Sequence, residues 1–219
     1  MNYSVSEENY IKAIYNLNGN KQPVSTNALA ETLDTKPASI TDMLKKLKAK
    51  KLIVYQPYQG CRLSAEGVKV ALNIVRRHRL WEYFLAEKLK FEWNEVHAVA
   101  EELEHVSSPK LIERLDEYLG FPRFDPHGDP IPDHEGKMQT LKQVKLTQLP
   151  LHTPAKVSGL TDQSTDMLEL LRHRKISIGT AVEINRKFGF DHSVEIKIQD
   201  NPLFIISEQA AQHILVHHE

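Results

Sequence analysis

The stretch TKPASITDMLKKLKAKKLIVYQPYQGCRLS (35–64) decides the fold of the first part of the chain. Pro37 lies where it can open a helix over residues 38–50 at its first turn. Two short runs of strand-forming residues follow, 52–56 and 61–64, and the turn residues PYQG separate them. The stretch therefore predicts a helix followed by a β-hairpin.

Two further helices precede this stretch. Apolar residues at helical spacing predict a helix over residues 6–17, with Ser6 as its candidate N-cap. Ser25 can cap a short helix over residues 26–33. Helix, short helix, turn, basic helix and hairpin is the element order of a winged helix-turn-helix, so the sequence predicts a DNA-binding head.

The predicted third helix ends in a lysine-rich segment, with five lysines among the seven residues 45–51. Such a run is often only the solvated face of a helix. Here a hairpin carrying Tyr55, Tyr58 and Arg62 follows it, and this combination favours contact with the phosphates of duplex DNA. Small polar residues near the start of the helix suit the edges of bases. The residues predicted to contact DNA are Ser25, Thr35, Lys36, Pro37, Ser39, Asp42, Lys45, Lys46, Tyr55 and Arg62.

Charge is unevenly distributed along the 219 residues, although the formal net charge is only −1. Residues 1–79 carry 13 Lys and Arg against 6 Asp and Glu, whereas residues 80–140 carry 6 against 14. Residues 141–219 are balanced, with 9 of each kind. The basic first part predicts a polyanionic partner, and the acidic middle part predicts a bound cation.

The acidic segment VHAVAEELEHV (96–106) holds two histidines and three glutamates but no Lys or Arg. An arc of about 100° on a helical wheel contains four of these residues: His97, Glu101, Glu104 and His105. A helix face in water explains this pattern on its own. Repulsion between the carboxylates, together with His78 and Glu82 on the preceding helix, favours a bound divalent cation. Oxygen and imidazole ligands without a thiolate suit Mn(II) or Fe(II), although Zn(II) also binds them tightly.

Downstream of the first hairpin, helices are predicted over 65–89, capped by Ser64, over 95–106, capped by Asn94, and over 110–119. A segment rich in Pro and Gly, 121–137, marks a boundary. Alternating apolar residues after about residue 145 predict a small β-barrel, which a helix near 162–173 interrupts.

Six segments together resemble the iron- and manganese-dependent repressors of the diphtheria-toxin-repressor family, over essentially the whole chain. They are ENYIKAIY (8–15), KPASITDMLKKL (36–47), KLIVY (51–55), HRLWEYFL (78–85), VHAVAEELEHVSS (96–108) and DPHGDPIP (125–132). The resemblance implies a fold that is mainly α with small β parts. Its domains are a winged helix-turn-helix (1–72), a helical dimerisation and metal-binding domain (73–140) and an SH3-like β-barrel (149–219).

The resemblance, carried over position by position, also implies two metal sites. Glu101, Glu104 and His105 match one site, to which the first helix contributes Asn9; His78, Glu82 and His97 match the other, with Asp166 or Gln163 as a candidate from the last domain. Glu101 stands where iron regulators have Cys and manganese regulators have Glu.

Two positions of the first helix depart from the family pattern. Asn9 replaces a Met or Asp ligand, and Lys12 stands where manganese regulators often have Glu. These departures argue against a closely coupled two-metal site, and the presence of His97 and Glu82 instead favours two separate sites.

The function implied by the resemblance is a metal-activated, homodimeric repressor of metal-uptake genes, acting on a palindromic operator of double-stranded DNA. Mn(II) or Fe(II) is the expected cofactor, at up to two ions per subunit, with Zn(II) as a possible substitute. No membrane partner and no small-molecule substrate beyond metal ions is expected. Two alternatives stay open at this point: a winged-helix regulator that metal does not control, and a metalloenzyme with an open coordination position.

Cellular location is predicted from features that the sequence lacks. MNYSVSEENY (1–10) has neither the basic nor the apolar region of a signal peptide, and no apolar run approaches the roughly 18 residues that span a membrane. Cys61 is the single cysteine, so no intrachain disulfide can form. A soluble, cytoplasmic protein is expected.

Overall fold

The structure is a computed structural model, and it describes residues 3–18, 22–56, 59–139, 141–198 and 202–218. Tyr58 of the predicted hairpin lies outside these residues. The chain divides into two compact units. The N-terminal unit comprises residues 1–81, 101–118 and 132–137, and the C-terminal unit comprises residues 82–100, 119–131 and 138–219.

The described residues form α-helices, short strands and a 3₁₀ turn at Leu146–Gln148. The helices are α1 (Val5–Asn18), α2 (Thr26–Thr32), α3 (Pro37–Ala49), α4 (Ala65–Glu87), α5 (Trp93–Leu103), α6 (Pro109–Tyr118), α7 (Thr165–His173) and α8 (Glu208–Ala211). The strands are β1 (Ile53–Gln56), β2 (Gly60–Leu63), β3 (Val144–Lys145), β4 (Ala155–Leu160), β5 (Ala181–Lys187), β6 (Val194–Ile198), β7 (Phe204–Ile206) and β8 (Ile214–His217). None of the described helices combines the length and the apolar character that crossing a bilayer requires.

Side-chain caps fix where several helices begin. Ser25 before α2 and Ser64 before α4 each accept a backbone N–H of the first turn, as predicted. The predicted cap Ser6 is wrong, because α1 begins earlier. Ser4 Oγ accepts the N–H of Glu7 at 3.3 Å, while Glu7 Oε2 accepts the N–H of Ser4 at 2.9 Å. This reciprocal pair is a capping box, which satisfies two backbone donors that the helix itself leaves unpaired.

The predicted winged helix-turn-helix is present in the N-terminal unit. α3 starts at Pro37 and buries Ile40, Leu44 and Leu47 completely, so its lysines are left on the opposite, solvated side. β1 and β2 then pair as an antiparallel hairpin, the wing. A shared apolar core joins α1, α2, α3 and the wing, so these elements form one rigid head.

The C-terminal unit contains a six-stranded antiparallel sheet in the order β3-β8-β4-β5-β6-β7. α7 buries Met167, Leu168 and Leu171 in the same apolar core as the sheet. The expectation of a closed barrel is wrong. The edge strands β3 and β7 have only two and three residues, and among the described residues no ladder joins them. Edges this short cannot supply the continuous ladder that closure requires.

Candidate metal centres

Cluster A is a group of charged side chains in the N-terminal unit: Glu8, Lys12, Glu101, Glu104 and His105. The first two lie on α1, and Glu101 lies on α5. Because α5 ends two residues before His105, Glu104 and His105 belong to the turn that follows and not to the helix over 95–106 that the sequence predicted. This turn carries Glu104 inward, and its side chain is completely buried.

The Lys12 ammonium lies between the two glutamates. Its Nζ donates to Glu101 Oε1 at 2.6 Å and to Glu104 Oε2 at 2.7 Å. Both distances are in the range of short, charge-assisted hydrogen bonds. The side chain of Lys12 is only 11% exposed, so solvent screens these pairs weakly. One positive charge of the protein itself therefore occupies the acidic group in which sequence analysis expected a metal ion.

The two carboxylate oxygens of Glu104 differ in their hydrogen bonding. Oε2 receives Lys12 and also lies 2.6 Å from His78 Nδ1. Burial acts to raise the pKa of Glu104, but the hydrogen bond from His78 and the charge of Lys12 outweigh it and lower the pKa below its ordinary value. Oε1 is buried and accepts no hydrogen bond from the described residues; His105 Nε2 lies 3.9 Å away.

Glu8 holds the turn that contains Glu104 and His105. Its Oε2 lies 2.8 Å from His105 Nδ1, and its Oε1 accepts a bond from Arg77 at 2.7 Å. The Arg77 guanidinium also donates to the Glu104 backbone carbonyl at 2.6 Å. With Nδ1 of His105 directed at Glu8, Nε2 of the same ring is the nitrogen that remains for a metal ion.

Cluster A fits a metal ion only in part. The buried Oε1 of Glu104 accepts no hydrogen bond within the described part of the chain, and such an oxygen suits a cation. Asn9 lies on α1, and its buried Oδ1 likewise accepts no hydrogen bond from the described residues. Lys12 opposes this fit, because its ammonium satisfies the other Glu104 oxygen and Glu101.

Cluster B lies in the C-terminal unit and consists of Glu82, Asp125 and His127, with His97 beside them. One ligand atom from each of the first three side chains lies within 4.8 Å of the others. These three side chains are almost completely buried, at 3%, 4% and 2% exposure. His97 Nδ1 and His127 Nδ1 lie 3.2 and 3.9 Å from Glu82 Oε1. Two buried carboxylates with two imidazoles fit a divalent cation well.

A tight loop fixes the position of Asp125 and His127. Asp125 Oδ1 accepts the backbone N–H groups of His127 at 2.8 Å and of Asp129 at 2.9 Å. Gly128 has a φ of +85°, and a Cβ there would lie 2.2 Å from the Ser158 carbonyl oxygen. Only glycine therefore allows this loop to pack so closely against β4. The ligand set is held by backbone geometry as well as by side-chain contacts.

Glu7 lies in the first turn of α1 and faces the lysines of α3. Its Oε1 is 2.6 Å from Lys50 Nζ and 3.3 Å from Lys46 Nζ, and its side chain is only 2% exposed. Burial acts to raise the pKa of Glu7, but hydrogen bonds from Lys50, the Ser4 backbone and Lys46 prevail and lower it to about 2. Glu7 is thus an ionised anchor between α1 and α3.

This anchor predicts a dependence of stability on pH. Because the pKa of Glu7 falls from 4.5 in the unfolded chain to about 2 on folding, its stabilising contribution is complete above pH 4.5 and is lost as the pH falls towards 2. We expect Glu7→Gln to unfold at a lower urea concentration than the parent at neutral pH, and the difference to shrink steadily below pH 4.5. Glu31→Gln, an exposed change on α2, is the control. A difference between parent and Glu7→Gln that does not vary with pH would contradict the assignment.

The predicted DNA-contacting residues are mostly exposed on the winged head. Thr35 is half-buried. The exposed residues are Ser25, Lys36, Pro37, Ser39, Asp42, Lys45, Lys46 and Arg62. Tyr55 differs, because its side chain is buried in the core of the head with 8% exposure. It lines a cleft of about 650 Å³ between α3 and the wing, together with Lys45 and Lys48. We therefore remove Tyr55 from the residues proposed to extend over DNA.

Known proteins match the chain along almost its whole length. Residues 3–61 match the N-terminal DNA-binding domain of iron-dependent repressors, residues 64–133 match their metal-binding and dimerisation domain, and residues 144–218 match the FeoA domain. The HTH-type transcriptional regulator MntR of Oceanobacillus iheyensis is 32% identical over 139 residues, which cover 64% of this chain and 88% of that protein. The chain belongs to the iron-dependent repressor family.

Two further members of this family cover more of the chain. The iron-dependent repressor IdeR of Mycobacterium tuberculosis is 29% identical over 177 residues, covering 77% of each protein. A solved manganese-dependent transcriptional repressor in complex with manganese is 31% identical, covers 97% of this chain and all of that one, and superposes with a TM-score of 0.82. Iron-dependent repressors are metal-dependent, DNA-binding transcriptional regulators and not enzymes, so the alternative of a metalloenzyme is wrong.

The ligands expected at the second site have contacts in both clusters. His78 contacts Glu104 of cluster A, whereas Glu82 and His97 contact each other in cluster B. Gln163 is exposed and donates to Asp129 Oδ2 at 3.2 Å, next to the loop of cluster B. Asp166 is exposed in the first turn of α7.

Sequence analysis missed two residues of cluster B. Asp125 and His127 lie in the Pro- and Gly-rich segment that we interpreted only as a boundary. The signal available was DPHGDPIP (125–132), in which a histidine follows an aspartate at two residues and precedes a glycine. The motif contributed to the family resemblance, yet its side chains were not considered as ligands.

Proposed function

We propose that this chain represses metal-uptake genes as a homodimer, and that Mn(II) or Fe(II) bound at cluster B activates it for DNA binding. The observation that carries the proposal is the buried set Glu82, Asp125 and His127, whose ligand atoms lie within 4.8 Å of one another. A buried pair of carboxylates is strongly unfavourable without a compensating positive charge. Zn(II) is expected to bind the same groups, and coordination geometry then determines selectivity.

A bound divalent ion would place positive charge beside these carboxylates. Within the C-terminal unit, Glu82 comes from α4, His97 from α5, and Asp125 and His127 from the loop that follows α6. Ligation would therefore tie three separate segments together. An ion that binds the DNA-competent shape more tightly shifts the population towards it, and DNA must tighten ion binding by the same factor.

The winged head is proposed to read DNA with the start of α3 in the major groove. Lys36, Ser39, Lys45 and Arg62 are exposed, which supports contacts of the first two with base edges and of the last two with phosphates. Two heads related by a two-fold axis match a palindromic operator, which supports a homodimer.

The division into domains at 1–72, 73–140 and 149–219 stays part of the proposal. A chromosomal regulator acts in the cytoplasm, so we place the protein there.

DNA binding with and without metal tests the proposal. A duplex selected from a random library with the Mn(II)-loaded protein is titrated in Mn(II), Fe(II), Zn(II) or chelator. We expect chelator to weaken binding of the parent at least tenfold, and Asp125→Asn to behave as the chelated parent even in Mn(II). Asn retains the oxygen that holds the loop but removes the charge. Glu102→Gln, an exposed change on α5, is the control. Equal affinity with metal and with chelator would leave a winged-helix regulator that metal does not control.

A further inference from the structure

We propose that Lys12 is a built-in cation of cluster A, which assembles this group without metal and which a divalent ion must displace before it can bridge Glu101 and Glu104. The inference rests on the proposed function, because it concerns how many ions the repressor binds and where. It assigns a role to a residue that is not itself a ligand.

The geometry at Lys12 is that of an occupied cation site. Its Nζ lies 2.6 Å from Glu101 Oε1 and 2.7 Å from Glu104 Oε2, so it bridges two carboxylates as a metal ion would. An ammonium and a divalent ion cannot both contact the same two oxygens closely without strong repulsion in a weakly screened site. Occupation by Lys12 and bridging by metal are therefore mutually exclusive.

Burial strengthens the ion pairs that Lys12 forms with the two glutamates. The side chain of Lys12 is 11% exposed and that of Glu104 is not exposed, so the pair is shielded from salt and water. Removing either partner would leave an uncompensated charge in the interior. Lys12 thus links α1 to the end of α5 and the turn after it in the absence of metal.

In cluster B, the imidazoles of His97 and His127 lie close to Glu82, and imidazoles are themselves ligands of divalent metals. In cluster A, by contrast, the ammonium of Lys12 lies between Glu101 and Glu104. Cluster A therefore fills only at higher metal concentration or when Lys12 is removed.

Substitution of Lys12 tests the inference by two readouts that do not involve DNA. Lys12→Met removes the charge but keeps the length of the side chain. Bound Mn(II) per chain is measured by equilibrium dialysis, and thermal unfolding is followed in chelator and in Mn(II). We expect Lys12→Met to bind a further Mn(II) ion per chain, or to bind its weaker ion about tenfold more tightly than the parent. In chelator it should melt below the parent, and Mn(II) should raise its melting temperature more than that of the parent.

Lys69→Met is the matched control, because Lys69 pairs with Glu66 at 3.7 Å while remaining 74% exposed. It should match the parent in both measurements. Lys12→Gln provides the same comparison if Lys12→Met does not fold. An unchanged number and affinity of ions, with unchanged melting in chelator, would overturn the role of Lys12. Absence of Mn(II) binding to the parent would instead overturn the proposed function.

Discussion

Replacing His127 by alanine is expected to weaken Mn(II) binding on the order of 100-fold. His127 is 2% exposed, so the space left by its ring lies in the interior and water replaces the lost ligand poorly. Glu82 and Asp125 would then share an ion with one imidazole fewer, and the free energy of that metal–nitrogen bond would be lost. The affinity is measured by competition with a chelator of known strength.

DNA binding by His127→Ala should weaken along with metal binding. At a fixed, limiting Mn(II) concentration the variant should need more protein to occupy its operator, and excess Mn(II) should restore much of the loss. His134→Ala is the control, because His134 lies in the same Pro- and Gly-rich segment but is exposed. If His127→Ala and His134→Ala bound Mn(II) as tightly as the parent, cluster B would not be the metal site.

Replacing Asp116 by alanine is expected to lower the free energy of unfolding by about 3–5 kcal/mol. Arg76 Nη2 donates to Asp116 Oδ2 at 2.5 Å, and Nη1 donates to the Pro132 carbonyl at 2.7 Å. The side chains of Arg76 and Asp116 are only 10% and 12% exposed. Loss of the carboxylate would leave the Arg76 guanidinium buried with only a carbonyl as its partner. Urea unfolding at neutral pH measures the change.

The adjacent ion pair on α6 provides the control for Asp116. Arg114 Nη1 lies 2.6 Å from Glu117 Oε2, a distance as short as that of the buried pair, but the two side chains are 70% and 58% exposed. Glu117→Ala should therefore change stability by less than about 1 kcal/mol. A similar loss of unfolding free energy in Asp116→Ala and Glu117→Ala would show that burial does not determine how much the Arg76 pair stabilises the protein.

The elements of the winged head could be predicted closely because local chemistry determines them. Pro37 starts α3, Ser25 and Ser64 cap their helices, and two runs of strand-forming residues separated by turn residues predict the wing. Each of these signals acts within a few residues of the position that it determines. Closure of the final sheet depends on the lengths of β3 and β7, for which the sequence carries no comparable local signal.

The acidic segment shows where a helical wheel stops being informative. The wheel grouped Glu101, Glu104 and His105 by assuming a continuous helix, but α5 ends at Leu103. The following turn buries Glu104 completely instead of leaving it on a solvated face. Helix ends depend on tertiary contacts as well as on propensity, and here Arg77 holds the Glu104 carbonyl from another helix.

The remaining parts of both clusters depend on contacts between residues distant in sequence. Lys12 was recognised as a departure from the family, but its partner Glu104 lies 92 positions away. Asp125 and His127 approach Glu82 only because a tight loop with Gly128 packs against β4. Neither periodicity nor spacing in the sequence predicts contacts between residues so far apart, so only the structure shows them.

Glu7 and Glu8 are consecutive on α1, yet they belong to different networks: Glu7 pairs with Lys46 and Lys50, and Glu8 with Arg77 and His105. A single peptide bond therefore joins the charge network of the recognition helix to that of cluster A. If α1 rotates about its axis, the contacts of Glu7 and those of Glu8 must change at the same time. Substitutions at Glu8 and at Lys50 should consequently show epistasis in DNA binding, although their side chains share no contact among those described.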